Sequence, residues 1–166
     1  AGSIPHFTGV ALGKATGLDW AHIAYKGAAP AMNDLLGGQV AANVSVMSNA
    51  LPHVQSGKLR ALAVSSLQRN VVLATVPTFT EAGFKEATAI EWFGVFAPAK
   101  TPTEIVNRLN LAIIAAVRSK PFQEALTKGA FDSYSSDSPS TFAAALKSDI
   151  DRWGQIVKTS GFTPED

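Results

Sequence analysis

The chain has 166 residues, 46% apolar and 16% charged, which is ordinary for a protein that buries a real core in one domain or in two small lobes. Its formal charge of +1, with Lys58-Leu59-Arg60 the densest basic spot, excludes the basic stripe of a nucleic-acid binder, so any anionic ligand must be recognised locally. The absence of cysteine excludes disulfides, thiolate metal sites and a thiol nucleophile, and it does not choose between an exported and a cytosolic protein.

Gly2-Ser3-Ile4-Pro5 reads as a turn into a helix over about 6–16, in which Gly9 and Gly13 weaken the helix but permit close packing. Residues 21–25 read as a strand. A short helix over 30–36 follows, with Pro30 at its first position and Gly37-Gly38 as a left-handed stop. Residues 40–46 and 59–65 read as further strands, separated by a helix that Ser48 or Asn49 could cap and that ends at Gly57. The stretch "LQRNVVLATVPTFTEAGF" is loop-rich, with one helical turn around 78–82. A strand over 92–97 runs to Pro98. Thr101-Pro102-Thr103-Glu104 then spells a capping box with proline at the first helical position. The following helix repeats Ile105, Leu109, Ala112 or Ile113, and Ala116 at helical spacing. A shorter helix over 121–127 and a strand near 131–134 lead to a last helix opened by Ser138-Pro139. Its stripe is Phe142, Leu146, Ile150, Trp153 and Val157, and Gly161 closes it. Strands alternating with helices predict an α/β fold with a largely parallel sheet, whose ligands sit where strand ends lead into helices.

Tyr25 to Pro30 is one such junction, and its composition is unusual. After Tyr25 and Lys26 the side chains almost vanish, through Gly27, Ala28 and Ala29. The first amides of a helix have no partner within it, and together they carry about half a positive charge, which suits a carboxylate or phosphate. Small residues let such a ligand approach the backbone. Lys26 adds a full charge, and Tyr25 adds a hydroxyl or a flat wall. The same residues also spell a plain strand-to-helix connection with a solvated lysine. Gly2, Ser3 and His6 lie at a second helix start of similar chemistry, where Ser3 also reads as a simple cap. Two such starts could converge on one ligand.

Signals for catalysis are poor. "GVALGKATG" imitates a phosphate-binding loop, but its glycine spacing is one residue short and Ala15 stands where a hydroxyl should bind magnesium. His6, His22 and His53 are far apart and no acidic residue gives them metal spacing, so no metal and no cofactor is expected. His22, alternating with apolar neighbours, reads as a packed histidine. Glu91 beside Trp92 is a lone carboxylate, and no Gly-x-Ser-x-Gly elbow is present.

The strings "AHIAYKGAAPAMNDLLGGQV", "LPHVQSGKLRALAVSS", "VPTFTEAGF" and "EWFGVFAPAKTP", continuing to the final "WGQIVKTSGF", resemble the substrate-binding proteins of tripartite tricarboxylate transporters, the Bug family. The resemblance covers almost the whole chain, in order and with few gaps. It implies a non-catalytic periplasmic receptor of the α/β type II periplasmic-binding-protein fold, in which two lobes close over a small carboxylate, often with bridging waters. It further implies membrane components of a tripartite transporter as partners. Carried onto this chain, Gly2, Ser3 and His6 match the end of a glycine- and serine-rich approach to the second lobe. Tyr25, Lys26, Gly27, Ala28 and Ala29 match that lobe's ligand loop, and Trp92 and Phe93 lie near the return crossing to the first lobe. Ser45 occupies a position where many members carry an aspartate; a hydroxyl cannot pair with a ligand ammonium, which disfavours an amino-acid ligand.

Members of this family are much longer, and what precedes "GSIPHF" in them, signal peptide included, has no counterpart here. The expectation is one near-complete lobe over 1–90 and the C-terminal part of the other over 91–166. An incomplete lobe would expose a sheet edge and apolar surface and favour a homodimer. Two further readings stay open: an interaction or sensory module with an incomplete cleft and no ligand, and an enzyme acting on a carboxylate through Lys26 or Glu91.

Overall fold

The structure, a computed structural model, describes residues 2–163. They divide into two compact units, Ala1–Glu91 with Ser160–Asp166, and Trp92–Thr159. Six α-helices run through them: α1 (Ile4–Thr16), α2 (Ala28–Leu36), α3 (Met47–Gln55), α4 (Thr103–Arg118), α5 (Lys120–Lys128) and α6 (Pro139–Ser160). In the first unit α1 packs on a 3₁₀ turn at Lys85–Ala87, and α2 packs against α3. Phe7, Met32, Leu51, Val64, Val76, Phe79, Ala87 and Ala89 are its buried apolar residues. In the second unit α4 packs against α5. Its aromatic side chains form small clusters: the Trp92 ring stands edge-on to Phe142, and Phe96 tilts against the same ring.

Helix ends follow local chemistry, with three departures from expectation. Helix α2 begins at Ala28, so Pro30 is its third residue. Anywhere in the first turn a proline forfeits only an amide that has no helical partner. Helix α3 begins at Met47 without a side-chain cap, so neither Ser48 nor Asn49 serves as one. The capping box expected at Thr101 does not form: Pro102 itself is the N-cap of α4, its carbonyl accepts the amides of Ile105 and Val106, and no side chain caps the helix. Ser138 does what was expected at α6, its Oγ accepting the Thr141 amide at 3.1 Å. Gly161, at φ 73°, follows the last turn of that helix.

The segments expected as strands, 21–25, 40–46, 59–65, 92–97 and 131–134, form no ladder among the described residues. The exception is a single parallel bridge between Val64 and Thr78. Around it Val64 donates to the Pro77 carbonyl and its own carbonyl accepts from Phe79, both at 2.9 Å. Parallel pairing is stable where both faces of the strand are covered. Val64 is buried, whereas Ile23, Leu62 and Val95 are exposed, so the bridge forms only where cover exists.

The turn beyond the bridge carries a reciprocal cap. Glu81 accepts the Thr78 amide at 2.7 Å, and the Thr78 hydroxyl accepts the Glu81 amide at 3.1 Å. Arg69 Nε donates to both oxygens of the same carboxylate at 3.0 and 2.9 Å. The Arg69 bond first, then the Thr78 amide, hold the Glu81 carboxyl below its usual range. A depressed carboxyl contributes stability that is complete above its ordinary value of 4.5 and is lost as pH falls through the folded value. Urea midpoints should therefore fall with acidification through this window in the native chain. That part of the slope should vanish in Glu81→Gln, which starts from a lower midpoint at neutral pH.

Candidate functional site

The start of α2 is built almost entirely of backbone. Gly27, its N-cap, has φ 105° and ψ 172°, a conformation open to glycine and strained for any other residue. No side chain caps the helix, and no atom lies within 4 Å of a Cβ built on Gly27. A side chain placed on Gly27 would thus meet open space, and Ala28 and Ala29 after it are exposed, in a first turn whose amides have no partner inside the helix. Lys26 is exposed and makes no ion pair among the described residues.

Tyr25 is half-buried, and its hydroxyl donates to Asp34 Oδ2 at 2.8 Å. That bond, ahead of desolvation and the carboxylate's charge, raises the phenol above its ordinary range. Of the two roles expected for Tyr25, the hydroxyl is thus taken by the protein and the ring remains as a wall. Asp34 had no place in the sequence reading. Its signal was there, since it is the only acidic residue between Asp19 and Glu81. It sits on the helix whose start it helps to fix, tying the approach segment to the far turn of α2.

Beside this start, α2 and α3 enclose a groove of ≈ 250 Å³ lined by Ala28, Ala29, Met32, Asn33, Asn49 and His53. Asn49 and His53 are four apart on α3 and so share one face. Neither is expected at the site from sequence, where Asn49 reads with Ser48 as an alternative cap and His53 as an isolated histidine. Ser45, half-buried, lies in the segment leading into α3.

The start of α1 is more occupied. Ser3 is its N-cap but makes no side-chain cap bond, and its carbonyl accepts the Phe7 amide at 3.1 Å. Gly2 donates its amide to His6 Nδ1 at 3.2 Å, and a Cβ on Gly2 would lie 3.1 Å from Phe162 Cζ. The Gly2 amide is therefore spent within the protein, which removes it from the donors expected for an anion. His6 meets Phe162 edge-on at 5.5 Å between centroids and lies 4.2 Å from the His22 ring. Burial first, then the charge of His22, lowers the His6 titration below the ordinary 6.5. His22 is thus not packed in a covered strand: it is exposed and rests on His6 of α1.

Trp92 and Phe93 belong to the second unit. The Trp92 indole donates to Asp149 on α6, and Phe93 is 83% exposed. No group of three or more histidine or acidic side chains suited to a metal occurs among the described residues.

Comparison with known proteins gives these features a setting. Residues 1–162 match the model of the tripartite tricarboxylate transporter family receptor, TctC. The chain is 40% identical to protein BugT of Bordetella pertussis over 140 residues, which are 84% of this chain and 42% of BugT. It is 32% identical to the UPF0065 protein of the clcB-clcD intergenic region of Pseudomonas knackmussii, over 94% of this chain and 92% of that protein. Among solved structures, R. palustris Rpa4515 with adipate superposes with a TM-score of 0.85 at 32% identity, covering 99% of this chain and 55% of that one. MatC from Rhodopseudomonas palustris, with bound malate, gives 0.80 at 29% identity, over 94% and 54%. The periplasmic binding protein BugD gives 0.80 at 34% identity, over 95% and 53%. The chain thus spans about half the length of most of these proteins, and its fold is part of the periplasmic-binding-protein fold that the sequence motifs implied. On the match over residues 1–162, this chain belongs to the tripartite tricarboxylate transporter receptor family.

Proposed function

We propose that this chain supplies the carboxylate-holding part of a periplasmic solute receptor for a tripartite transporter, with the start of α2 as the anion seat. The observation that carries this reading is the bare helix start: a glycine at φ 105°, no side-chain cap, and exposed Ala28 and Ala29 behind a Gly27 whose Cβ position is empty to 4 Å. Lys26 adds the local positive charge that the near-neutral chain otherwise lacks. The α2–α3 groove receives the rest of a small organic acid, with Asn33, Asn49 and His53 offering polar contacts. Two solved relatives hold adipate and malate, which are both dicarboxylates. The role is binding and delivery, not turnover, and the first unit corresponds to the ligand-loop lobe.

Isothermal titration of the chain with malate, adipate and citrate tests this. Saturable binding of at least one acid tighter than about 1 mM, weakened in Lys26→Ala, is the expected result. Consumption of any of them would replace the receptor reading with an enzyme.

A second reading rests on the second unit, whose Phe93, Val95 and Phe96 are 83%, 70% and 65% exposed. Apolar surface of this kind favours association, and a homodimer or a membrane-protein partner would cover it. A chain that binds none of the three acids and runs as a dimer in the same buffer supports this alternative.

A further inference from the structure

The segment between α1 and α2 lies against α1 at two points. At the first, Gly13 leaves room for an indole: a Cβ there would come within 2.9 Å of Trp20 Nε1 and 3.1 Å of Cε2. At the second, two residues on, the His22 ring rests on His6 with centroids 4.2 Å apart and planes inclined by 36°. No ladder bond holds this segment, and residues 18–24 are exposed. These two contacts, with the Tyr25–Asp34 bond beyond them, therefore fix where Tyr25, Lys26 and Gly27 enter α2.

The contacts differ in kind. The indole on glycine does not titrate. The His6 imidazole does, and its geometry is specific to one protonation state. His6 Nδ1 accepts the Gly2 amide, which requires a lone pair on that nitrogen. A proton there would set two N–H donors against each other, and a charged His6 ring would repel a charged His22.

We propose that the His6–His22 stack is a proton-operated strap, which holds the segment before the ligand loop onto α1 while His6 is neutral and releases it when His6 is protonated. The consequence for ligand capture rests on the carboxylate reading of the α2 start; the strap itself does not. The charged neighbour that acts on His6 is His22, from the strapped segment. Phe162, from the chain's return after α6, contributes only a ring. Asp19 and Lys26 on the segment, and Lys85 and Glu86 on the 3₁₀ turn packed against α1, are the other charges of these elements, and none of them acts on His6. Burial and the charge of His22 disfavour the charged ring, so the strap is closed above the ordinary histidine value of 6.5 and opens as pH falls through the lower folded value.

Ligand-free NMR of the chain between about pH 8 and about pH 5 tests this, following the ring protons of His6 and His22 and the amides of Tyr25, Lys26 and Gly27. The three amides are expected to move with the His6 midpoint. In His22→Phe, which keeps a ring on His6 without a second charge, that midpoint should rise and the amides should follow it. In His6→Phe the movement should be lost. Amides that stay still while His6 titrates, or that keep their original midpoint in His22→Phe, would overturn the strap; the second outcome decides even if His6→Phe does not fold. Because no ligand enters the readout, the strap and the carboxylate seat can fail separately.

Discussion

Replacing Gly27 by valine is expected to remove measurable carboxylate binding while leaving the chain folded. At φ 105° and ψ 172° an L side chain is strained, at a cost of about 1–3 kcal/mol. The strain is one of backbone and not of room, since nothing lies within 4 Å of the position a Cβ would take. Relief comes from rotating the peptide toward negative φ, which swings the amides of Ala28 and Ala29 away from their present direction. A seat made of those amides loses its geometry, and a loss of about 1.4 kcal/mol already weakens affinity tenfold. Titration with the tightest of the three acids should show a drop of at least about tenfold, with the urea midpoint lowered only by the backbone strain. Retained affinity in a folded Gly27→Val chain would mean that the first-turn amides of α2 do not hold the ligand.

The second large effect belongs to the other unit. Gly94→Ala is expected to lower stability by about 1–3 kcal/mol through overpacking. The added Cβ would lie 2.6 Å from Phe142 Cζ and 3.0 Å from both Phe96 Cε2 and Trp92 Cζ3. Trp92 and Phe96 each meet Phe142, so a retreat of the Phe142 ring disturbs both contacts. Phe142 also sits on the first turns of α6, and the Trp92 indole is bonded to Asp149 further along that helix. Urea unfolding followed by tryptophan emission should show the lower midpoint. An unchanged midpoint would show that the ring cluster adds nothing to stability.

The helices were legible because their signals are local. Pro5, Gly17, Ser138 and Gly161 mark ends that chemistry within a few residues decides. The strands were legible as apolar segments but not as pairings. A ladder depends on cover from elsewhere in the fold, and here only Val64 has enough of it. At the α2 start, the poverty of side chains from Gly27 to Ala29 accords with a helix N-terminus that no side chain caps. The sequence could not show that Tyr25 would spend its hydroxyl on Asp34, which depends on how the approach segment lies against α2, or which rotamer would let His6, four residues on, accept the Gly2 amide. His22 misled for a related reason. Its alternation with apolar neighbours is a true strand pattern, but without a covered sheet the ring turned to the nearest helix.

Phe162 lays its ring over Gly2, His6 and Phe7, so the opening turn of α1 is roofed by a residue from the opposite extremity of the sequence. Handling of the carboxyl-terminal end should therefore be felt at the amino-terminal helix. Digestion by a carboxypeptidase past this phenylalanine, or an affinity handle fused directly after it, would strip or displace the roof and wet the histidine beneath. A purification tag belongs beyond a spacer long enough to leave that aromatic seated.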